Sequence, residues 1–157
     1  MKPINVISNT SPLIFLEKID SLILLKKCFN KIFIPETVQR EWGAKSIPDY
    51  ITVQPVSEFG KSFVLGAIGR LHQGELEAIQ LAKELSCKVV LLDDLLARNH
   101  AEKKDLIPMG VLGILKLANK LNHISFDNVS IKVLELTEKH GLFISPDILK
   151  NYLNSFK

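Results

Sequence analysis

"KVVLLDD", residues 88–94, decides how this sequence folds. Val89 to Leu92 form an unbroken apolar run that ends in two adjacent carboxylates, Asp93 and Asp94. A run with no polar face suits a strand buried on both sides, the pattern of parallel strands covered by helices. Its flanks agree. "GELEAIQLAKELSC", residues 74–87, has apolar residues at helical spacing and predicts an amphipathic helix. "LLARNHAEKKDL", residues 95–106, reads as another helix. Helix, strand, helix is the unit of an α/β fold.

The same alternation extends outward. Residues 4–8 read as a first strand, and Pro12 suits the first turn of a helix because its missing N–H would be unpaired there. The helical pattern through Leu13, Leu16 and Ile19 is expected to break near Asp20-Ser21, with Ser21 capping a second helix. "KIFIPETV" predicts a short strand at Ile32–Ile34 and a helix opened by Pro35. "ITVQPV", residues 51–56, is rich in β-formers, but Pro55 demotes it to an edge or irregular segment. The glycine-rich "EFGKSFVLGAIGRLHQG" reads as a loop with a short helix. Met109-Gly110 leads into helical "VLGILKLANKL". "NVSIKVLELTEKHG" predicts a helix closed by Gly141, and "SPDILKNYLNSF" a last one capped by Ser145 with Pro146 in its first turn. The expectation is one α/β domain over residues 1–157, a central parallel sheet with helices on both faces. The C-terminal helices, about 127–157, are expected to pack on it.

Composition narrows the function. The chain is 46% hydrophobic and 24% charged, as in soluble globular proteins. No apolar run approaches the roughly 20 residues that cross a bilayer. "MKPINVISNT" lacks the apolar core and cleavage site of a signal peptide, so a cytoplasmic location is expected, with no membrane partner. Cys28 and Cys87 lie far apart in apolar surroundings and read as buried thiols. The net charge of +3 permits nucleic-acid binding without demanding it. His72, His100, His123 and His140 show no metal-ligand spacing, and no P-loop is present. Gly110 and Gly113 could let backbone or phosphate come close, a weak signal by itself.

In a parallel α/β sheet the ligand crevice lies beyond the C-terminal strand ends. The first strand delivers Ser8-Asn9-Thr10-Ser11 to that edge, and strand 89–92 delivers Asp93 and Asp94. Of the two acids, Asp94 is the better candidate to cap the next helix and Asp93 the better candidate ligand. At about 100° per residue, Glu75 falls within the apolar stripe of its helix. It reads as a ligand, a catalytic acid, or a favourable charge at the helix N-terminus. Glu77 falls toward the polar side and is expected to be solvated. Glu41, beside Trp42, sits at the margin of a buried face. Glu41, Glu75 and Asp93 with Asn9 would form an oxygen-rich cluster suited to Mg²⁺ or Mn²⁺ and to phosphoryl transfer.

"SNTSPLI", "IPETVQREW", "GELEAIQLA", "VVLLDDLLAR" and "GVLGILKLA", in this order and followed by "HGLFISPDILKNYL", resemble a prokaryotic PIN-domain-like family, usually described as predicted nucleic-acid-binding proteins. The resemblance covers essentially the whole chain. It implies a three-layer fold and an acidic pocket that binds Mg²⁺ or Mn²⁺. It also implies metal-dependent ribonuclease activity on RNA. Many relatives are toxins of toxin–antitoxin pairs, so an antitoxin protein and a homodimer are further expectations. The four acidic positions of the family fall on Asn9, Glu41, Glu75 and Asp93, with Asp94 adjacent; Thr10 or Ser11 matches an accompanying hydroxyl. The metal would fall to Glu75, Asp93, Asn9 and Asp94. Asn9 is the departure: an amide oxygen can ligate a hard cation but brings no charge, so metal affinity should fall. The alternative is therefore a catalytically weak or inactive module that binds RNA or a protein partner. A small-molecule α/β enzyme is a third possibility.

Overall fold

In the computed structural model of the chain, residues 3–69 and 71–156 are described. Met1, Lys2, Arg70 and Lys157, within the span expected to form one domain, lie outside them. Five strands form one parallel sheet: β1 (Val6–Ser8), β2 (Ile32–Ile34), β3 (Ile51–Val53), β4 (Val89–Leu91) and β5 (Ile107–Met109), in the order β3-β2-β1-β4-β5. The helices among the described residues are α1 (Thr10–Lys18), α2 (Leu24–Cys28), α3 (Glu36–Trp42), α4 (Glu58–Ala67), α5 (Gln73–Glu84), α6 (Leu95–Lys103), α7 (Val111–Lys120), α8 (Phe126–Lys139) and α9 (Pro146–Asn154).

Strand side chains alternate between faces, and the two hydrophobic clusters follow that alternation. Val6, Ile32, Ile34 and Leu91 pack on one face with Leu13 and Leu16 of α1, Ile114 and Leu115 of α7, and Val129, Val133 and Leu136 of α8. Ile7, Val90 and Leu92 pack on the other with Ala78, Ile79 and Leu81 of α5 and Ala97 and Ala101 of α6. Each fully buried Leu or Ile contributes about 1.5–3 kcal/mol by leaving water. This two-sided burial is why "VVLL" carries no polar position. Cys28 and Cys87 are free, buried thiols, as expected. No helix among the described residues is long and apolar enough to cross a membrane.

Three expectations are corrected. The segment after Ser57 is not mainly loop: α4 runs for ten residues, with the Ser57 side chain accepting from Gly60 N–H as its cap. Only one face of α4 is buried, at Gly60 and Val64, so its apolar signal is diluted. Ser21 does not cap α2. Its hydroxyl donates to Ile19 O at 2.9 Å, and α2 starts three residues later. β5 was hidden by Pro108. The strand is an edge, and Ile107 N–H and Met109 O make its bonds to Lys88 and Leu92, so the missing proline N–H faces away from β4. Edge status for β3, expected from Pro55, is observed.

From β1 the chain steps to β2 and β3 on one side, then crosses to β4 and β5 on the other. The order therefore reverses between β1 and β4. Crevices outside the carboxyl ends of strands at such a reversal are where open α/β sheets bind ligands. Asn9 follows β1 and Asp93 follows β4.

Candidate active site

Asn9 stands between β1 and α1, its N–H donating to Leu91 O at 3.0 Å. It is the N-cap residue of α1, yet its side chain makes no capping bond. An N-cap side chain accepts from the second or third helical N–H. Here the third helical residue is Pro12, which has no N–H to offer. The side chain is 4% exposed, and Oδ1 is buried with no hydrogen-bond partner.

Thr10, next along, donates from Oγ1 to Glu41 Oε2 at 2.9 Å, tying α1 to α3. Glu41 otherwise faces solvent, and its carboxylate lies against Gly74. A Cβ on that glycine would stand 2.5 Å from Glu41 Oε1, so a larger residue there would push the Glu41 carboxylate aside. Glu75 follows, buried in the first turn of α5. Burial pushes its pKa up, and the negative charges of Asp94 and Glu41 push the same way, opposed by His72. Glu41, Glu75 and Asp94 thus share one electrostatic neighbourhood.

The two aspartates after β4 divide their work. Asp94 is the N-cap of α6, its Oδ2 accepting from Ala97 N–H at 3.0 Å. Asp93 turns to the start of α7, where Oδ1 accepts from Val111 N–H at 2.9 Å. Its Oδ2 is buried with no partner. Burial raises the Asp93 pKa to about 6, against the pull of the Val111 N–H and of Arg98.

The expectation that Glu77 is solvated is wrong. Glu77 is 5% exposed, and its Oε2 accepts from Thr37 Oγ1 at 2.5 Å and Gln73 Nε2 at 2.8 Å. Arg40 donates to the same threonine oxygen at 2.9 Å. A helical wheel places Glu77 off the sheet-facing stripe of α5 correctly; what it omits is α3, which covers that second face. Thr37 and Glu41 lie one turn apart on α3, so the Glu77–Thr37 bond also fixes where Glu41 meets Gly74 and Glu75. Arg98 is a second residue the sequence reading passed over. Its position in "VVLLDDLLAR" brings it back beside Asp93, but no spacing rule announces that.

Unpartnered buried side-chain polar atoms among the described residues are Asn9 Oδ1, Asp93 Oδ2 and the Trp42 indole N–H. Native structures leave few such groups unpaired, and each calls for a reason. Two of these are oxygen acceptors at adjacent strand ends, a donor set that fits a hard cation. Among the described residues no group of three or more His, Cys, Asp or Glu is arranged to hold a metal. A cation here would need the amide oxygen of Asn9 and retained waters, a habit of Mg²⁺.

The raised pKa of Asp93 has a consequence for stability. An acid that ionises less readily when folded contributes stability that is complete below its unfolded pKa. That contribution is lost as pH rises through the folded value of about 6. Asp93→Asn keeps an oxygen for Val111 N–H and removes the buried charge. Without divalent metal, the variant should be more stable than wild type by about 3 kcal/mol near pH 8 and nearly equal to it near pH 4. Denaturant unfolding at both pH values checks this; an advantage unchanged by pH contradicts it.

A family model described as DUF3368, PIN domain, matches residues 5–157. Among solved structures, a PilT N-terminus domain protein from the hyperthermophilic archaeon Sulfolobus solfataricus P2 is similar at a TM-score of 0.57 and 20% identity. The match covers 77% of this chain and 97% of that one. At that identity the likeness speaks for the fold. A search of curated proteins gives no match.

Proposed function

We propose that this chain, which belongs to the PIN-domain family, is a metal-dependent ribonuclease working at the ends of β1 and β4. PIN domains are usually nucleases and generally use divalent metals. The observation that carries the reading for this chain is the pair of buried, unpartnered oxygens, Asn9 Oδ1 and Asp93 Oδ2, at the reversal of the sheet. Asn9 and Asp93, with retained waters, would hold Mg²⁺ or Mn²⁺; the resemblance adds Glu75 and Asp94 as ligands, but among the described residues no three carboxylates are grouped to hold a metal. When bound, such an ion would activate a water and neutralise charge developing on the phosphate.

The chain's own groups supply the rest. Glu75, with its pKa raised, is suited to take a proton from the attacking water, because a general base works best near the operating pH. Glu41, oriented by Thr10, supports it by keeping negative charge beside Glu75. Asp94 does the same while capping α6. The Glu77–Thr37 bond holds α3 and α5 at the separation this requires.

The test is cleavage of mixed-sequence RNA in Mn²⁺, stopped by EDTA and absent from Glu75→Gln. A toxin role, with an antitoxin protein as partner and a homodimer as the working form, is the finer version of this reading and rests on the resemblance. Asn9 itself favours a second reading, because it stands where the family pattern expects an acid. On that reading the chain binds RNA without cutting it. RNA affinity would then be indifferent to EDTA and fall with salt as phosphate contacts are lost.

A further inference from the structure

We infer that the cleft between α7 and the start of α9 takes one nucleotide of single-stranded RNA, its base stacked on Phe143 and its phosphates held by Arg98 and Lys116. The inference rests on the nuclease reading only for the choice of nucleic acid as ligand. The cleft has a volume of about 520 Å³. Sites for small ligands commonly span about 300–1,000 Å³.

Four observations carry it. Phe143, in the short connection between α8 and α9, lines the cleft with its ring 98% exposed. A large aromatic ring left almost wholly in water has no role in the core and is a ready stacking platform. Arg98 and Lys116 line the cleft as well. Among the described residues the ion pairs are confined to Lys61, so Lys116 has no carboxylate partner, while Arg98 stands beside Asp93 without closing a salt bridge to it. Lys116 is nonetheless held in place, its Nζ 2.8 Å from Ser155 Oγ and 5.7 Å from the Phe156 ring centre. Arg98 reaches toward Leu92 O at 3.5 Å.

The third observation explains the motif "GVLG". Gly110 and Gly113, one turn apart, form part of the cleft wall. A Cβ at Gly110 would stand 2.6 Å from Asp93 Oδ1 and 2.9 Å from an Arg98 guanidinium nitrogen; one at Gly113 would stand 2.7 Å from Met109 Cγ. Side chains at either position would collide with the wall. Fourth, Asp93 borders both this cleft and the β1/β4 strand ends, so a strand seated here leads directly to the carboxylates. A single platform of this kind accepts an unstacked base, which single strands offer and duplexes withhold.

The test is equilibrium binding of a labelled, mixed-sequence, single-stranded RNA oligonucleotide in EDTA, so that binding is read without cleavage. Phe143→Ala should weaken binding by about tenfold and Phe143→Trp should keep it, as expected for loss and retention of one stacked base. Lys116→Ala should weaken binding and lower its salt dependence by about one phosphate contact. Phe143 is exposed, so its variants should fold as wild type, which melting confirms. The inference is overturned if wild type binds no RNA, or if Phe143→Ala binds as wild type does. It is also overturned if Phe143→Ala changes only the oligomeric state in gel filtration, which would assign the ring to a protein contact. Phe143-dependent binding without any cleavage would sink the nuclease reading and leave this one standing. Cleavage and binding both indifferent to Phe143 would do the reverse.

Discussion

Glu75→Gln should lose Mn²⁺-dependent RNA cleavage by about a thousandfold, with fold and metal-free RNA binding unchanged. Glutamine has the shape of glutamate and keeps one oxygen, so the first turn of α5 need not move. What it lacks is charge and basicity. In the wild type, burial and the charges of Asp94 and Glu41 oppose ionisation of Glu75. Removing the carboxylate relieves that repulsion, so the variant should melt no lower than wild type near neutral pH. A structural role alone predicts the opposite pairing, with activity and melting temperature falling together. Single-turnover cleavage and a melting curve on the same sample separate the two. Activity within tenfold of wild type would remove Glu75 from the chemistry.

Asn9→Asp has the second large effect, and it acts on metal and stability together. The variant would place a carboxylate at the end of β1, the neighbour of the strand that carries Asp93, at a position 4% exposed whose side-chain oxygen has no hydrogen-bond partner. Burying an uncompensated charge costs about 3–5 kcal/mol, so the metal-free variant should be markedly less stable above pH 6. A cation bound between the two groups offsets that cost. Mn²⁺ at 100 times its dissociation constant would return about 2.7 kcal/mol. Melting with and without Mn²⁺ should therefore show a large metal-dependent rise in Asn9→Asp and a small one in wild type. Cleavage should rise with it. An equal response of both proteins to Mn²⁺ would mean that residue 9 does not face the cation.

The fold was legible because its decisive signals are local. "VVLL" has no polar face, and the segments on either side of it have helical period. The losses have equally specific causes. β5 is a three-residue edge strand with a proline at its centre. α4 has two glycines among its ten residues and buries only one face. For the site, helical periodicity put Glu75 inward because α5 faces the sheet on that side. It could not foresee α3 over the other side, where Glu77 meets Thr37. The cap role of Asp94 was legible from its place just before α6; that Asp93 instead serves the start of α7, eighteen residues on, was beyond spacing rules. Asn9 was visible as an amide in an acid's place. Pro12 takes away one of the two N–H groups that could cap its oxygen; that Asp93 Oδ2 is likewise unpartnered at the end of the neighbouring strand needed the packed structure.

The most direct measurement is anomalous diffraction from crystals of the chain soaked in Mn²⁺. The account predicts a peak within coordination distance of both Asn9 Oδ1 and Asp93 Oδ2, at the ends of β1 and β4. No peak there, or a peak elsewhere with both oxygens still unligated, would contradict it.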